Sequence, residues 1–547
     1  MGKEIRSVLL MRVVAHAELH NTREAPDRVR QAFPEARLMG LGAADCPDTA
    51  LLGADPRLDD LLLLPANIAR SARAFRGFMA RQPCDATVMC YGATSGVNYP
   101  KQILASLLCP GRNFFLDAAG RLFPALSVLG LRVILRAALS ILLLFLLRAG
   151  ARLVVATLRL LARLTPVPKD DAGLPAPDAV RRLLFIRLDH IGDVAMSLPA
   201  LHALRQHYPD ARIDVLVLPE VAPLLAEVPD VDEVIPYAAP VFTRNPRRQA
   251  GLGRTLALVH RLRRGRYDVA VELRGNDLCR LLAFLAGARR RLGPGRSLYE
   301  MSGRTNFDFL LTHPVAPPDD SQYAVDRSLQ TLRACGLPLP DAPYRLPVKP
   351  EREAPVRETL AGLGVRRGYA VIHARPSEES RQWHPERFAA VADHLTQVHG
   401  LDVLLTGAPR DRDYNADILA RVARPERVFN AAGLFALPEL PALLADAALM
   451  VSVDTGPMHI AAMVGTPLVT LFHPTLAPLH HPYGQEDGVL IPPAESASEH
   501  RIWEGGVLAA IPADDVIAAV DRKQRRAAKT RLCLVSGGAA EEWLKAA

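Results

Sequence analysis

The sequence predicts an α/β protein built on parallel sheets, and three observations lead to this class. Between about residues 182 and 521, short apolar runs typical of buried strands alternate with segments of helical periodicity, as in successive βαβ units. Residues 1–121 show the same alternation. The chain has 547 residues, and at roughly 100–200 residues per domain this length leaves room for about three domains.

Composition and charge exclude several classes of protein. Hydrophobic residues make up 49% of the chain and charged residues 23%, so most of it can bury a core and global disorder is excluded. Aromatic residues are only 5%, which argues against an RNA-binding surface of stacked rings, and we expect no nucleic-acid partner. None of the seven cysteines forms a CxxC pair, so neither a zinc ribbon nor a redox motif is expected. The net charge of +8 suits either an anionic membrane or an anionic substrate, and the positions of the arginines must decide.

Residues 1–121 resemble a partial copy of the region that begins near residue 182. At one common offset of 175, residues 8–12 match 183–187 and residues 33–37 match 208–212. The copy departs where Gly192 and Asp193 stand, since the corresponding positions are Ala17 and Glu18. We therefore predict a degenerate Rossmann-like α/β region without an active site of its own.

Residues 122–164 are apolar but carry arginines at intervals. The uncharged part, residues 137–147, is too short for a bilayer span of about 20 residues. Extending it backwards adds two arginines whose insertion costs about 5–7 kcal/mol and cancels most of the apolar gain. Four further arginines lie on one side of a helix beside an apolar face, the pattern of a helix in the membrane interface: Arg148, Arg152, Arg159 and Arg163. We predict a membrane-associated helical segment, peripheral or re-entrant; an amphipathic helix packed on the protein is the alternative.

Two segments read as connections rather than as domains. Residues 165–181 carry four prolines and are predicted to be a linker. Residues 522–547 are basic at first and then small and polar, so we expect a loosely ordered tail.

The first motif with chemical potential follows the predicted strand 183–187. Gly192 stands at a turn after this strand, and Asp193 follows it at the start of a helical segment. In open α/β sheets the carboxyl ends of the strands face the ligand crevice, so Asp193 is placed to act as a general base. The same carboxylate could instead merely cap the helix, and both interpretations stay open.

A second and a third motif follow strands of the later region. Arg381 lies in a polar loop after a strand ending at His373, where a guanidinium could pair with phosphate oxygens or remain solvated beside a core tryptophan. Residues 454–459 read Asp-Thr-Gly-Pro-Met-His between a strand and a helix. The free N–H groups of such a helix start bind anions, and Gly456 permits close approach of a phosphate.

These three motifs, in this order, resemble those of glycosyltransferase family 9, the lipopolysaccharide heptosyltransferases. The resemblance covers roughly residues 182–515. It implies a GT-B fold, in which two Rossmann-like domains face a cleft: an acceptor domain over 182–345 and a donor domain over 346–521. It also implies an inverting, metal-independent transfer without a cofactor, from a nucleotide sugar, typically ADP-heptose, to a lipopolysaccharide or other cell-envelope glycan acceptor.

The resemblance also assigns roles to individual residues. Asp193 matches the catalytic base of the family, and Arg381 matches the basic residue, usually lysine, that contacts the donor phosphates. Glu439 matches a position associated with the nucleotide ribose, and Arg187 and Gly192 could orient the acceptor or the base. The donor-binding loop corresponds to Asp454, Thr455, Gly456, Pro457, Met458 and His459.

Some departures from the family pattern and some alternatives remain. The family often has Gly-Ala-Ser where this sequence has Ala374-Arg375-Pro376, and Phe-Gly-Pro where it has Phe472-His473-Pro474, so the donor stays open. A non-catalytic GT-B protein that binds a sugar nucleotide or scaffolds a membrane complex is the main alternative, and an epimerase on the same fold is another. We expect the protein at the cytoplasmic face of the inner membrane, on an anionic surface near a lipid-linked or lipopolysaccharide-type acceptor.

Overall fold

The computed structural model divides into two compact units, residues 1–160 and 161–547. The described residues are 5–13, 25–43, 56–64, 72–81, 84–91, 106–107, 109, 112–116, 121–165, 174–240, 242–243, 249–295, 307–316, 323–340, 342–376, 381–493 and 507–535.

The first unit contains a six-stranded sheet with the spatial order β3-β2-β1-β4-β5-β6, in which only the last strand is antiparallel. Its described elements are β1 Ser7–Val13, α1 Ala25–Ala32, β2 Arg37–Ala43, β3 Asp60–Leu64, α2 Ala72–Met79, β4 Ala86–Tyr91, β5 Arg112–Leu116, β6 Leu122–Pro124 and α3 Val128–Leu164. Both faces of the sheet are covered, because alternate residues of β1 enter two separate apolar clusters, Val8 and Leu10 in one and Leu9 and Met11 in the other.

The helix α3 corrects part of the prediction for residues 122–164. Residues 122–124 form the last strand of the first sheet, so the helix begins only at Val128. It then runs without interruption for 37 residues, which excludes a re-entrant hairpin. Among the described helices, none combines the length and the apolarity needed to cross a membrane. The helix still exposes large apolar side chains, including Leu135, Leu153 and Leu160.

The second unit begins with a sheet that forms the acceptor half. Its strands lie in the order β12-β11-β10-β7-β8-β9 and all pair in parallel. The strands are β7 Arg182–Arg187, β8 Arg212–Val217, β9 Glu233–Pro236, β10 Val269–Glu272, β11 Arg290–Pro294 and β12 His313–Val315. The helices are α4 Ile191–His207, α5 Ala222–Leu225, α6 Leu252–Gly265, α7 Asp277–Leu285 and α8 Ala324–Ala334, with 3-10 turns at Pro177–Ala179 and Asp308–Leu310.

A third sheet forms the donor half, again all parallel, in the order β15-β14-β13-β16-β17-β18. The strands are β13 Tyr369–His373, β14 Asp402–Leu405, β15 Val428–Asn430, β16 Leu449–Val453, β17 Leu468–Leu471 and β18 Val489–Leu490. The helices are α9 Pro350–Leu363, α10 Pro385–Gln397, α11 Arg412–Leu419, α12 Leu440–Asp446, α13 Gly456–Val464, α14 Ala477–His480 and α15 Ala513–Val535. The 3-10 turns are Pro409–Asp411, Pro425–Arg427, Leu437–Glu439, Glu486–Gly488 and Val507–Ala510.

The chain ends of the second unit are more ordered than their composition indicates. Leu174, in the predicted linker, is buried and its N–H donates to the carbonyl of Cys335. The expectation of a loose tail from residue 522 is wrong up to residue 535, because α15 continues through it. Lys523 is 9% exposed and donates to Asp487 at 2.6 Å, so the helix is held to the donor half there. Residues 166–173 and 536–547 lie outside the described part.

All three sheets share one strand order, in which the first strand lies at the centre and the chain winds outward in both directions. Side-chain bonds repeat as well between the first sheet and the acceptor half. Arg30 donates to the carbonyl of Ala36 at 3.1 Å and to Asp59 at 2.7 Å. In the acceptor half, Arg205 donates in the same way to the carbonyl of Ala211 and to Asp232.

A second repeated bond lies at the start of the central strand. Asp85 accepts hydrogen bonds from the backbone N–H groups of Arg6 and Ser7, both at 3.0 Å. Asp268 accepts the equivalent pair of bonds at the start of β7. These bonds support the interpretation of residues 1–121 as a copy of the acceptor half.

Candidate functional site

A cleft of about 660 Å³ lies between the acceptor and donor halves of the second unit. Most of its lining comes from segments that follow the carboxyl ends of strands, above all β7, β13, β14 and β16. Strands of both parallel sheets therefore end at the cleft, which is where open α/β sheets bind their ligands.

The two halves meet at the beginnings of helices α4 and α13, where two glycines permit the contact. A Cβ atom on Gly192 would lie 2.9 Å from Cδ2 of His459. A Cβ atom on Gly456 would lie 3.0 Å from Cβ of Ile191. Any larger side chain at either position would push the helices apart. The positive ends of two helix dipoles thus border one cleft, which favours an anion there.

Asp193 lies in the first turn of α4, half-buried, and lines the cleft as predicted. Neither His190 nor another side chain caps the N-terminus of α4 from the Ncap position. Asp193 lines the space between the halves from the acceptor side.

A buried carboxylate, Asp189, lies next to Asp193. Burial raises the pKa of Asp189 to about 6 and repulsion by Asp193 adds to this, while Arg187 and Arg274 oppose it. The guanidinium of Arg274 lies 2.6 Å from one oxygen of Asp189, and that of Arg187 lies 3.6 Å from the other. Arg187 is itself 6% exposed, and it contacts Asp189 rather than lining the cleft.

Arg381 and Asp454 face each other on the donor side. Nη1 of Arg381 donates to Oδ2 of Asp454 at 2.9 Å, and both residues line the cleft. The aspartate that ends β16 thereby orients the guanidinium that follows β13. Two motifs that are 73 residues apart in the sequence thus meet as one ion pair at the wall of the cleft.

The remaining predicted donor residues divide into two groups. Thr455, Gly456, Pro457 and His459 line the cleft. Met458 is fully buried in the apolar cluster of the donor half and does not line it, because it lies on the inner face of α13.

Glu439 is also placed differently from its predicted ribose contact. Its carboxylate accepts a hydrogen bond from the N–H of Ala436 at 2.7 Å and so caps the 3-10 turn Leu437–Glu439. The apolar neighbours Leu437 and Leu440 line the cleft instead.

His459 has a buried ring nitrogen, Nδ1, that makes no hydrogen bond to the described residues. The residue is 3% exposed, and burial lowers its pKa to about 3, with smaller contributions from His480 and His481. The imidazole is therefore neutral at physiological pH. Its Nδ1 has no hydrogen-bond partner within the described residues, which leaves it available to a bound molecule.

Sequence reasoning missed several residues of the cleft. His480 comes from α14, and burial lowers its pKa to about 4, assisted by Arg327 and Arg381. Arg375 and Arg410 follow β13 and β14 and add positive charge. Both arginines come shortly after strand ends, and the carboxyl-edge rule applied to every strand would have found them.

Part of the cleft wall on the donor half is apolar. It is formed by side chains from the segment before α12, from α12 itself and from β16: Phe435, Leu437, Leu440, Leu443, Leu444 and Met450. Such a surface suits a flat aromatic ring, whereas the arginines and helix starts suit a phosphate group.

Two Rossmann-type halves that face a cleft, with a carboxylate on one half and arginines beside a helix N-terminus on the other, have the arrangement of GT-B glycosyltransferases. Residues 255–502 match the sequence profile of Glycosyltransferase family 9 (heptosyltransferase). This part of the chain is therefore similar to glycosyltransferase family 9.

Curated relatives agree with this assignment. Lipopolysaccharide heptosyltransferase 3 of Escherichia coli is 29% identical over 340 residues, which cover 60% of this chain and 96% of the relative. Lipopolysaccharide heptosyltransferase 2 of Escherichia coli strain K12 is 29% identical over 305 residues, covering 54% of this chain and 83% of the relative. The chain is thus a heptosyltransferase-like glycosyltransferase.

Solved structures show the same fold. The glycosyl transferase family 9 protein of Veillonella parvula superposes with a TM-score of 0.53 at 21% identity, covering 63% of this chain and 97% of that one. The ADP-heptose lps heptosyltransferase II of Escherichia coli superposes with a TM-score of 0.51 at 25% identity, covering 63% of this chain and 99% of that one.

The glycine contact makes a first prediction. Gly192→Ala should place a methyl group against His459, destabilise the protein by about 1–3 kcal/mol through overpacking, and lower transferase activity. Urea unfolding and kcat/KM measure the two effects. Gly253→Ala, in an exposed helical position with open space around it, should be neutral or slightly stabilising. Wild-type stability and activity in Gly192→Ala would contradict the contact.

Proposed function

We propose that this chain is an inverting, metal-independent heptosyltransferase that moves heptose from ADP-heptose to a lipopolysaccharide or other cell-envelope glycan acceptor. The observation that carries the proposal is the position of Asp193 across the cleft from the Arg381–Asp454 pair and the start of α13.

The residues divide the reaction between the two halves. Asp193 takes the proton of the acceptor hydroxyl as its oxygen attacks the anomeric carbon of the sugar. The bond between that carbon and the donor phosphate oxygen breaks, and the nucleoside diphosphate leaves with the electron pair. Attack from the side opposite the leaving group inverts the configuration.

The leaving diphosphate gains negative charge, and the donor half supplies the opposite charge. Arg381, Arg375 and Arg410 line the cleft beside the N-terminus of α13. Fixed positive groups of this kind stabilise charge that develops in a transition state. These cations support metal independence, because they provide the neutralisation that a divalent ion supplies in other transferases.

The choice of donor rests on two arguments. The apolar wall around Phe435 suits the base of a nucleotide, with the phosphates then reaching the arginines. The Escherichia coli protein of similar fold is named for ADP-heptose, and we extend this donor to the present chain.

The helix α3 supports a location on the cytoplasmic face of the inner membrane. Arg152, Arg159 and Arg163 are exposed on it, together with apolar side chains such as Leu153 and Leu160. A helix that exposes both cationic and apolar side chains binds an anionic membrane surface. Peripheral attachment there would keep the protein on the membrane that carries a lipid-linked acceptor.

The assignment of the base is tested by Asp193→Asn. The variant should lose transfer by about 10²–10⁴-fold in kcat while donor affinity changes little, because the carboxylate acts on the acceptor hydroxyl. Asp210→Asn, an exposed aspartate beyond the end of the same helix, is the matched control and should keep full activity. Full activity in Asp193→Asn would refute the assignment.

The donor wall is tested by Arg381→Ala and Asp454→Ala. The first removes a charge-assisted bond to phosphate worth about 1.5–3 kcal/mol, and the second removes the group that orients Arg381. Calorimetric titration with the donor should show affinities about 10–100-fold weaker. Arg357→Ala, exposed on α9, should bind like the wild type. Unchanged affinity in both cleft variants would contradict the proposed donor site.

Membrane binding is tested by replacing Arg148, Arg152, Arg159 and Arg163 with glutamine. Association with anionic vesicles should weaken by about 1 kcal/mol per arginine, and high salt should have part of the same effect. Burial of apolar side chains is insensitive to screening and should leave residual binding. Vesicle co-sedimentation measures these effects.

The matched control replaces four exposed arginines of the donor half by glutamine: Arg357, Arg366, Arg367 and Arg424. This variant should bind vesicles like the wild type. A chain starting near Leu174 should lose vesicle binding and keep donor affinity. If the full-length protein ignores anionic vesicles, the membrane proposal is wrong.

A further inference from the structure

Three side chains of the donor half lie close together and take no part in the proposed transfer reaction. His394 lies near the end of α10, His399 follows that helix, and Asp521 lies on α15. Nε2 of His394 and Nε2 of His399 both lie 2.7 Å from the same Oδ1 of Asp521. All three ligand atoms fall within 4.8 Å of one another, and this is the only such His/Cys/Asp/Glu group in the described part of the chain.

The cluster lies at the edge of the sheet opposite the cleft. His399 precedes the amino end of β14, whereas Thr406 and the lining residues after it follow the carboxyl end of that strand. Four strand residues separate the two edges, a distance of roughly 13 Å at about 3.3 Å per residue. A group bound at the cluster would therefore not reach the reacting atoms.

The ligand set has the chemistry of a transition-metal site. Two imidazole nitrogens and one carboxylate oxygen suit Zn²⁺, Co²⁺ or Ni²⁺ better than Mg²⁺ or Ca²⁺, which prefer oxygen ligands alone. The side chains keep 18%, 18% and 27% of their surface exposed, which leaves room for water as a further ligand.

The three side chains come from α10, from the residues after it and from α15, so a bound metal ion would join these two helices. The helix α15 covers the donor core with Val516, Ala519 and Val520, and α10 packs into the same core with Phe388 and Leu395. We propose that His394, His399 and Asp521 form a divalent transition-metal site, best suited to Zn²⁺, that fastens α15 to α10. The site is structural, and the transfer reaction does not pass through it.

Metal titration of the full-length, untagged protein after chelation tests the proposal. We expect one equivalent of Zn²⁺ to bind and to raise the midpoint of thermal unfolding, because a ligand that binds the folded state stabilises it. Co²⁺ should give d–d absorption bands without a thiolate charge-transfer band, since none of the three ligands is a cysteine. Absence of stoichiometric binding, or a thiolate band, would overturn the proposal.

Variants identify the ligands. His399→Ala and Asp521→Asn should each weaken Zn²⁺ affinity by at least about tenfold, since changes even to groups behind metal ligands cost 10–100-fold. His260→Ala, an exposed histidine of the acceptor half, should bind Zn²⁺ like the wild type. Circular dichroism of the metal-free variants checks that they fold, and wild-type affinity in both ligand variants would overturn the site.

Chelation separates the structural role from a catalytic one. Treatment with EDTA should lower the unfolding midpoint and leave the initial rate of transfer unchanged well below that temperature. Loss of transfer in chelated protein that is still folded would contradict the structural role.

Discussion

The close approach of α4 and α13 is the constraint on which the site depends. Gly192 and Gly456 let the two helix starts touch, and the functional groups lie within two residues of these glycines: Asp193 on one side and Asp454 on the other. Because both helices present their N-terminal ends, the contact concentrates positive potential between the halves. A diphosphate bound there would offset that potential, so the same geometry that joins the halves also selects an anionic donor.

Near this contact, the charged side chains of each half form ion pairs with one another. Asp189 is fixed by Arg274 and Arg187 beneath the acceptor side, and Arg381 is fixed by Asp454 on the donor side. Each of these contacts lies within one half. The cleft can therefore present the carboxylate of Asp193 and the guanidinium of Arg381 from opposite halves.

The sequence predicted those parts of the site that depend on local order along the chain. Asp193, Arg381 and Asp454 each follow a buried strand, so the carboxyl-edge rule places each of them at the ligand-binding edge of its own sheet. That the two sheets face one cleft was implied by the resemblance. Only the resemblance assigned Met458 and Glu439 to the donor, and neither lines the cleft: the side chain of Met458 turns inward on α13, and Glu439 caps its own turn. His480 lines the cleft because a segment distant in the sequence folds back to it, and a local sequence pattern does not predict such folding. The helical course of residues 522–535 was missed because the burial of Lys523 and its bond to Asp487 are long-range contacts.

A comparison of the first sheet with the acceptor half distinguishes the bonds that a Rossmann-type half needs for folding from the residues that it needs for function. Arg30 and Asp85 make the same bonds there that Arg205 and Asp268 make in the acceptor half, and these bonds join strands and turns within one half. The position 175 residues before Gly192 is Ala17. A Cβ on Gly192 would lie 2.9 Å from His459, so the acceptor half needs a glycine there. The first region therefore retains bonds that stabilise a half, while its sequence has alanine at the position equivalent to Gly192.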